Sequence, residues 1–242
     1  MSDTAPQPSR DEHAHGEHGG AHGDRHGKHG AHGHHGAHGH HGAHGPHGAD
    51  GQEPLVHRFD EGGDYWKERF EKPDRDAHQK PAEVVKKMAI APGMRVADVG
   101  TGTGYFVSHL AGAVGPDGRV LAVDIEPGFV RYVQARANDS GWTNVDVRLG
   151  LVDDPLLPGG KLDRILIVNT WHHIPERVAY AKKLAQALTA DGQLWIVDYK
   201  LDSPHGPPKE HRLTAETISQ ELSQAGFTTS VDAELLPRQY LV

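Results

Sequence analysis

The sequence has 242 residues, a net charge of −8 and no cysteine, and 36% of its residues are hydrophobic. The acidic balance argues against a nucleic acid partner held by phosphate contacts, and the missing thiols exclude disulfides, thiolate metal sites and cysteine nucleophiles. No apolar run approaches the length of a membrane span and no signal peptide is evident, so we expect a cytoplasmic protein without a membrane partner. The oligomeric state is left open.

Residues 1–52 form a tail rich in histidine and glycine that contains 14 of the 21 histidines and almost nothing apolar. Such a segment cannot bury enough surface to offset the entropy of ordering, and we predict that it is disordered. Neutral imidazoles bind Ni²⁺, Zn²⁺ or Cu²⁺, so the tail is also a candidate metal site. A solubilising, pH-responsive tail is the alternative. The histidines of its central repeat are His32, His34, His35, His38, His40 and His41.

Residues 53–80 differ in character, because aromatic side chains appear at helical spacing among acidic and basic residues. Trp66 and Phe70 lie one helical turn apart. The pattern predicts a helix that either shapes a site or only packs on the core. Pro81 then opens a second predicted helix over residues 82–89, as proline does at a first turn.

From residue 95 onwards, β-like and helical segments alternate, which is typical of a doubly wound, mostly parallel α/β sheet. Two β-like runs at the end of the chain, 228–232 and 239–242, bring the predicted strands to seven. The other strands are predicted at 95–99, 119–123, 144–148, 162–168 and 193–199. Helices are predicted at 103–113, 127–138, 175–188 and 214–225.

Three alternating glycines directly follow the first strand, at Gly100, Gly102 and Gly104. They leave no side chain between the main chain and a ligand, and the order strand, glycine turn, helix aims backbone N–H groups at such a ligand. The spacing G-x-G-x-G differs from the dinucleotide fingerprint G-x-G-x-x-G, and the Gly-Lys ending of a nucleotide P-loop is absent. Asp124 ends the second strand, where a carboxylate accepts hydrogen bonds from ribose hydroxyls.

The segments Asp98-Val-Gly-Thr-Gly-Thr-Gly104 and Ala122-Val-Asp-Ile-Glu-Pro127 resemble the class I S-adenosylmethionine (SAM)-dependent methyltransferase family. The similarity extends over 81–242 and is greatest to the group that includes ubiquinone and menaquinone methyltransferases. It implies a Rossmann-like sheet with an antiparallel C-terminal hairpin and an N-terminal segment that covers the cofactor. It also implies that Asp98 accepts from the ammonium group of SAM and that Thr103 adds a hydroxyl contact.

The segment 150–158 resembles the family stretch that meets the adenine ring. Alignment on Leu157-Pro158 assigns Asp153 to the adenine amine, with Asp154 beside it. The chain departs from the family pattern through Pro155 and through the lack of a glycine directly before the acid. The choice between the two aspartates therefore stays open, and helix capping is an alternative role for either.

Two histidines follow the fourth strand, where strand ends face the ligand crevice. A histidine there suits deprotonation of an oxygen or nitrogen nucleophile, with helix capping or packing as the alternative. If the chain remains extended, strand alternation favours His173 over His172 as the base. Further candidates for the pocket are Tyr199, Lys200 and His211.

These features predict a methyltransferase that transfers a methyl group from SAM to a small-molecule acceptor, with a tail that binds divalent metal. The alternative is a metal-handling protein whose SAM-binding domain is a sensor or is inactive. Arsenite methylation in this superfamily relies on cysteines, so this sequence is a poor candidate for it. The predicted organisation is a tail (1–52), an N-terminal helical lid (53–80) and a catalytic domain (81–242).

Overall fold

The structure is a computed structural model that describes residues 63–242. Two short 3₁₀ turns, Trp171–His173 and Lys209–His211, lie between the main elements. The helices are α1 Gly63–Phe70, α2 Arg75–Gln79, α3 Pro81–Lys87, α4 Val107–Val114, α5 Pro127–Asp139, α6 Arg177–Ala187 and α7 Ala215–Gln224. The strands are β1 Arg95–Val99, β2 Arg119–Asp124, β3 Val145–Leu149, β4 Leu162–Val168, β5 Leu188–Tyr199 and β6 Gln239–Leu241.

The strands form one sheet in the order β3-β2-β1-β4-β5-β6. All neighbouring pairs from β3 to β5 are parallel, and β6 runs antiparallel to β5 at the edge. The chain therefore fills one side of the sheet first and then crosses from β3 to β4 on the other side of β1. Such a reversal places a ligand crevice outside the carboxyl ends of β1 and β4.

Both faces of the sheet are covered by helices, so the central strands are buried on both sides. Side chains alternate along each strand, and the two faces therefore enter separate cores. Val96 contributes to the core beneath α3 and α4, whereas its neighbour Ala97 contributes to the core beneath α6 and α7. No helix within residues 63–242 is long and apolar enough to cross a bilayer.

The predicted alternation of strands and helices is confirmed, with shifts at some boundaries. Helix α4 begins only at Val107 because the chain remains in turns through Phe106 after the glycine-rich stretch. Strand β5 begins at Leu188, five residues before the predicted start at 193, and a register shift against β4 accommodates the difference.

The seventh strand, predicted at 228–232, is absent from the described part of the chain, where six strands occur. Within 228–232 only one isolated bridge forms, between Asp232 and Leu241. The side chain of Asp232 instead accepts from the N–H groups of Glu234 and Leu235 and turns the chain, while Val231 remains 48% exposed. The antiparallel edge therefore consists of β5 and β6 alone.

Helix α1 contains Trp66 and Phe70 at the predicted helical spacing. Their rings lie 5.1 Å apart, and Trp66 also packs edge-on against Phe129 of α5. The predictions for the tail of residues 1–52, including its disorder and its metal-binding histidines, lie outside the described residues. The domain boundary at 52/53 likewise stays a prediction.

Candidate functional site

Two sets of polar side chains meet at the carboxyl edge of the sheet, where β1 and β4 lie side by side. A glycine turn with Asp98 and Asp124 follows β1 and β2, and a histidine–aspartate pair, His172 and Asp198, lies at the ends of β4 and β5. We refer to them as the β1–β2 half and the β4–β5 half of the crevice.

Three glycines with left-handed backbone angles form the turn of the β1–β2 half. Their φ values are +74° at Gly100, +54° at Gly102 and +76° at Gly104. A Cβ at Gly100 would lie only 2.3 Å from Oγ1 of Thr170, so this position requires glycine for space as well as conformation. The turn is fastened to β2, because the N–H of Gly100 donates to the carbonyl oxygen of Val123 at 2.8 Å.

Asp124 is buried at the end of β2, with 7% of its surface exposed. Its Oδ2 accepts from the N–H of Gly102 at 2.8 Å and its Oδ1 accepts from the N–H of Glu126 at 3.0 Å. Burial raises the pKa of the Asp124 carboxyl, and the two backbone hydrogen bonds favour its ionised form. The structure thus places Asp124 directly against the glycine turn, in the position that the sequence predicted.

Asp98 is buried at the end of β1, and its Oδ2 accepts from the hydroxyl of Thr101 at 2.8 Å. Burial raises the pKa of Asp98 to about 6, while the Thr101 hydrogen bond lowers it. Within residues 63–242, neither Asp98 nor Asp124 forms an ion pair with a lysine, arginine or histidine. Two buried carboxylates without a cationic partner suit a ligand that carries positive charge and hydroxyl donors.

Thr103 is buried in the same turn, and its hydroxyl donates to Oε1 of Glu71 at 2.8 Å. Glu71 also pairs with Arg136 of α5, and Arg136 donates to the carbonyl oxygen of Thr103 at 2.9 Å. The Thr103 side chain therefore fastens the glycine turn to the chain that follows α1. Its predicted contact with a cofactor stays a prediction.

Asp153 and Asp154 lie in the turn after β3, next to Lys183 of α6. The Lys183 ammonium is 3.1 Å from Asp154 Oδ2 and 3.7 Å from Asp153 Oδ2. The Asp153 side chain is 72% exposed, whereas Asp154 is 33% exposed and accepts from the N–H of Leu156 at 2.8 Å. That hydrogen bond and the positive charge of Lys183 lower the pKa of Asp154. Asp153 is thus the more open of the two.

Three apolar side chains near these acids are unusually exposed and were missed by the sequence reasoning. Ile125, Leu151 and Val152 are 41%, 51% and 48% exposed. Ile125 directly follows Asp124, and the other two follow the end of β3. Exposed apolar groups at a strand edge indicate a surface that a flat apolar ligand covers. The sequence did contain a signal for them: Ile125 directly follows the predicted Asp124, and Leu151 and Val152 directly precede the predicted Asp153.

The β4–β5 half is centred on His172, whose imidazole is buried with Asp198. Nδ1 of His172 lies 2.9 Å from Oδ2 and 3.0 Å from Oδ1 of Asp198, and the two side chains are 2% and 1% exposed. The Asp198 carboxylate also accepts from the N–H of Tyr199 at 2.8 Å. The sequence analysis missed Asp198. The available signal was a single acidic residue between the apolar segment Leu194–Val197 of β5 and Tyr199.

The extended geometry that favoured His173 is wrong, because residues 171–173 form a 3₁₀ turn. Asn169 has a left-handed φ of +55°, which ends strand alternation before the histidines. Trp171 turns into the core and donates to Glu221 at 2.9 Å, while His173 is exposed. His172 is therefore the histidine that the fold buries against a carboxylate, and the ring of His173 lies 4.2 Å from it.

The remaining pocket candidates differ in how far their side chains are engaged. Burial raises the pKa of the Tyr199 hydroxyl, and Gly206 packs directly against the Tyr199 ring. Lys200 donates to the carbonyl oxygen of Leu236 at 3.0 Å, so its ammonium supports the loop before β6. His211 lies in the second 3₁₀ turn. Tyr199 directly follows Asp198 of the His172–Asp198 pair, and its N–H donates to the Asp198 carboxylate.

Helix α2 closes over both halves through side chains that the sequence analysis did not single out. The guanidinium of Arg75 lies 3.7 Å from the ring centroid of Tyr105, which follows the glycine turn. Gln79 donates to Gln239 at 3.1 Å, and Gln239 in turn donates to Asn169 at the end of β4. The N-terminal segment therefore contacts the glycine turn and the β4–β5 half together.

Comparison with known proteins agrees with this geometry. Residues 96–192 match a family described as "Methyltransferase domain". A SAM-dependent methyltransferase from Aquifex aeolicus, known from its crystal structure, has a TM-score of 0.69 and 27% identity, with 73% of this chain and 95% of that chain covered. In the part of the chain that the structure describes, no group of three metal-ligating side chains occurs.

Curated relatives match over shorter stretches. Nocamycin O-methyltransferase from Saccharothrix syringae is 35% identical over 105 residues, 43% of this chain and 38% of that protein. Arsenite methyltransferase from Halobacterium salinarum is 39% identical over 147 residues, 61% and 37% of the two chains. A demethylmenaquinone methyltransferase from Listeria welshimeri is 23% identical over 116 residues, 48% and 49% of the two chains. The match spans less than half of the length of each of these relatives.

Proposed function

We propose that this chain, which belongs to the class I SAM-dependent methyltransferase family, transfers a methyl group from SAM to an oxygen or nitrogen atom of a small molecule. The observation that carries the proposal is a buried imidazole–carboxylate pair beside a glycine turn with two unpaired carboxylates. Fold and family support the methyl transfer, and the buried His172–Asp198 pair supports an acceptor that must lose a proton.

The β1–β2 half supplies groups that match each part of SAM. Asp124 would accept from the ribose hydroxyls, and Asp98 would accept from the ammonium of the amino acid part. The glycines Gly100, Gly102 and Gly104 allow close approach of the main chain. When bound, SAM supplies an electrophilic methyl group that its sulfonium charge already activates.

The adenine ring has a separate set of candidate contacts. The exposed side chains of Ile125 and Leu151 offer apolar surface for its faces. Asp153 would accept from the adenine amine, because its carboxylate is the more exposed of the two neighbouring acids. Asp154 would then act as a brace for the turn through Leu156 and Lys183.

The β4–β5 half would accept the proton that the methyl acceptor loses. With its Nδ1–H donated to Asp198, a neutral His172 keeps Nε2 as a proton acceptor. The acceptor O–H or N–H gives its proton to Nε2, and Asp198 stabilises the resulting imidazolium. Burial of both side chains limits competing water, which is the condition under which such charge stabilisation is strongest.

Among the chemistries of the relatives, methylation at oxygen fits this site better than methylation of arsenite. Arsenite methylation depends on thiolates, and the sequence contains no cysteine. Nocamycin O-methyltransferase is one of the relatives whose names specify an oxygen acceptor. An imidazole base serves a hydroxyl acceptor directly, because an alcohol or phenol must lose its proton during the transfer.

We also propose that the tail of residues 1–52 binds divalent metal. Its 14 histidines, among them His32, His34 and His35, are imidazole ligands for Ni²⁺, Zn²⁺ or Cu²⁺. Without a fixed arrangement, several ions would bind with modest individual affinity. The tail would then be a module separate from the site of methyl transfer.

The activity is tested by titrating the full chain with S-adenosylhomocysteine (SAH) in a calorimeter and then measuring SAH formation from SAM. Separate pools of hydroxyl-bearing and amine-bearing metabolites serve as acceptors. We expect binding, and turnover with one pool that His172→Gln suppresses. Binding without turnover in either pool supports the sensor or inactive alternative, and the absence of binding contradicts both functions.

A further inference from the structure

Arg75 is a half-buried arginine at the crevice whose charge no carboxylate neutralises by direct contact. Among the described residues 63–242, no acidic side chain lies within 4.0 Å of its guanidinium. Burial lowers the pKa of Arg75, which is the sign of a cation that has lost water without a full replacement. A partly desolvated cation at a ligand crevice suits an anionic group of the ligand.

The guanidinium is fixed in place along one edge. Its Nε donates to Gln79 at 2.5 Å and its Nη1 donates to the carbonyl oxygen of Phe70 at 3.0 Å. Gln79 is itself only 1% exposed and is anchored to Gln239. The guanidinium face stacks on Tyr105 at 3.7 Å. Within the described residues, Nη2 makes no hydrogen bond to protein, so a preorganised pair of N–H donors remains available.

Arg75 and Asp98 are oppositely charged groups at the crevice. The charges of Arg75 and Asp98 influence each other, although the two groups form no ion pair. Asp98 is 3% exposed, and its carboxylate accepts from the hydroxyl of Thr101 within the glycine turn. A cation and an anion that do not neutralise each other suit a zwitterionic ligand. Its carboxylate would bind the cation, and its ammonium would bind the anion.

We infer that Arg75 binds the carboxylate of the amino acid part of SAM, while Asp98 binds its ammonium group. The inference rests on the proposed function, because it requires that SAM occupies the β1–β2 half. A guanidinium offers two parallel N–H donors to a carboxylate, a geometry that lysine cannot reproduce. Helix α2 thereby becomes part of the cofactor site, and Arg75 links it to the glycine turn through Tyr105.

The test compares two ligands that differ in the amino acid part. SAH carries the ammonium and the carboxylate, whereas 5′-methylthioadenosine retains the adenosine and the thioether and lacks both groups. Calorimetry on the full chain measures both affinities for the wild type and for Arg75→Gln, Arg75→Lys and Arg69→Gln. Arg69 is a matched control, since it is an exposed arginine of α1 whose contact is a cation–π approach to Trp66.

We expect Arg75→Gln to weaken SAH binding by about 10- to 100-fold and to leave methylthioadenosine binding unchanged. Arg75→Lys should recover part of the loss, and Arg69→Gln should change neither affinity. Unchanged SAH affinity in Arg75→Gln overturns the inference. An equal loss for both ligands also overturns it and makes Arg75 a structural bracket. A wild-type chain that binds methylthioadenosine but not SAH contradicts the carboxylate site, and one that binds neither ligand contradicts the proposed function itself.

Discussion

The two halves of the crevice solve the problem of buried charge in different ways. In the β1–β2 half, Asp98 and Asp124 are buried with hydrogen bonds from Thr101 and from backbone N–H groups but without a cationic partner. In the β4–β5 half, Asp198 is buried against His172. The carboxylates of the β1–β2 half therefore need a ligand to supply a positive charge, whereas Asp198 of the β4–β5 half already has a partner in His172.

The halves also differ in how the chain assembles them. The side-chain carboxylates of Asp98 and Asp124 in the β1–β2 half accept from residues at most 22 positions away, as between Gly102 and Asp124. Hydrogen bonds of the β4–β5 half join His172 to Asp198 over 26 positions and Gln239 to Asn169 over 70. A local motif thus builds the half that would bind the cofactor, and tertiary contacts build the half that would meet the acceptor. Each of the following changes separates the two halves by experiment.

The largest effect is expected from the histidine of the β4–β5 half. His172→Gln should lower turnover by about 10²- to 10⁴-fold, because the proton acceptor is lost, and should leave SAM affinity unchanged. His173→Gln is the matched control and should change turnover by a factor of a few, since its side chain is exposed. Steady-state kinetics with SAH quantification measures both. Equal losses in the two variants would show that neither histidine is a specific base.

The next effect concerns the β1–β2 half alone. Asp124→Asn replaces one acceptor oxygen with a donor and should weaken SAH binding by about 10- to 100-fold. Turnover at saturating SAM should change much less than binding. Asp139→Asn, at the exposed end of α5, is the control and should leave the affinity as it is. If calorimetry finds the same affinity in Asp124→Asn, the ribose is bound elsewhere.

The unpaired charge of Asp98 should be visible in the stability of the ligand-free protein. The pKa of Asp98 is about 6 in the folded chain, against an ordinary value of 3.8 in the unfolded chain. Between pH 3.8 and pH 6, folding is therefore accompanied by the uptake of a proton. The contribution of Asp98 to stability is therefore fully present below pH 4 and is lost as the pH rises through 6, by about 3 kcal/mol.

Asp98→Asn removes that cost while keeping an acceptor for Thr101. The variant should unfold at a higher temperature than the wild type at pH 7.5, with a gap that narrows through pH 5 and closes near pH 4. Its affinity for SAH should fall, because the ammonium loses its partner. Scanning calorimetry at the three pH values measures the gap. A gap that widens towards low pH would contradict an unpaired Asp98.

The smallest effect on the crevice is expected from deletion of the tail. Removal of residues 1–52 should leave SAH affinity within a factor of two and should abolish most binding of Ni²⁺ or Zn²⁺. In the full chain, metal binding should fade as the pH falls through about 6.5, because protonated imidazole does not ligate. Metal titration and SAH titration on the same two proteins provide both readings. Loss of SAH binding on deletion would show that the tail and the crevice are coupled.

Several parts of the fold and the site followed from local sequence. The glycine turn and the positions of Asp98 and Asp124 depend on neighbours within one strand–turn–helix unit, where backbone conformation and side-chain size leave few choices. The strands at 95–99 and 162–168 could also be predicted from local sequence, since a short apolar run between turn residues indicates a buried strand. The prediction at 228–232 was wrong because the Asp232 side chain accepts from the backbone N–H groups of Glu234 and Leu235 and turns the chain.

The sequence alone determined the β1–β2 half, because a strand end, alternating glycines and an acid at the next strand constrain one another over short distances. Only the tertiary structure decided that His172 and not His173 is buried against a carboxylate, since this depended on a left-handed residue at Asn169 and on Asp198 of the neighbouring strand. Only the tertiary structure brought Arg75 to the glycine turn. Burial by distant elements decides which polar groups lose water, and a polar group that loses water must find a partner in the fold or in a ligand.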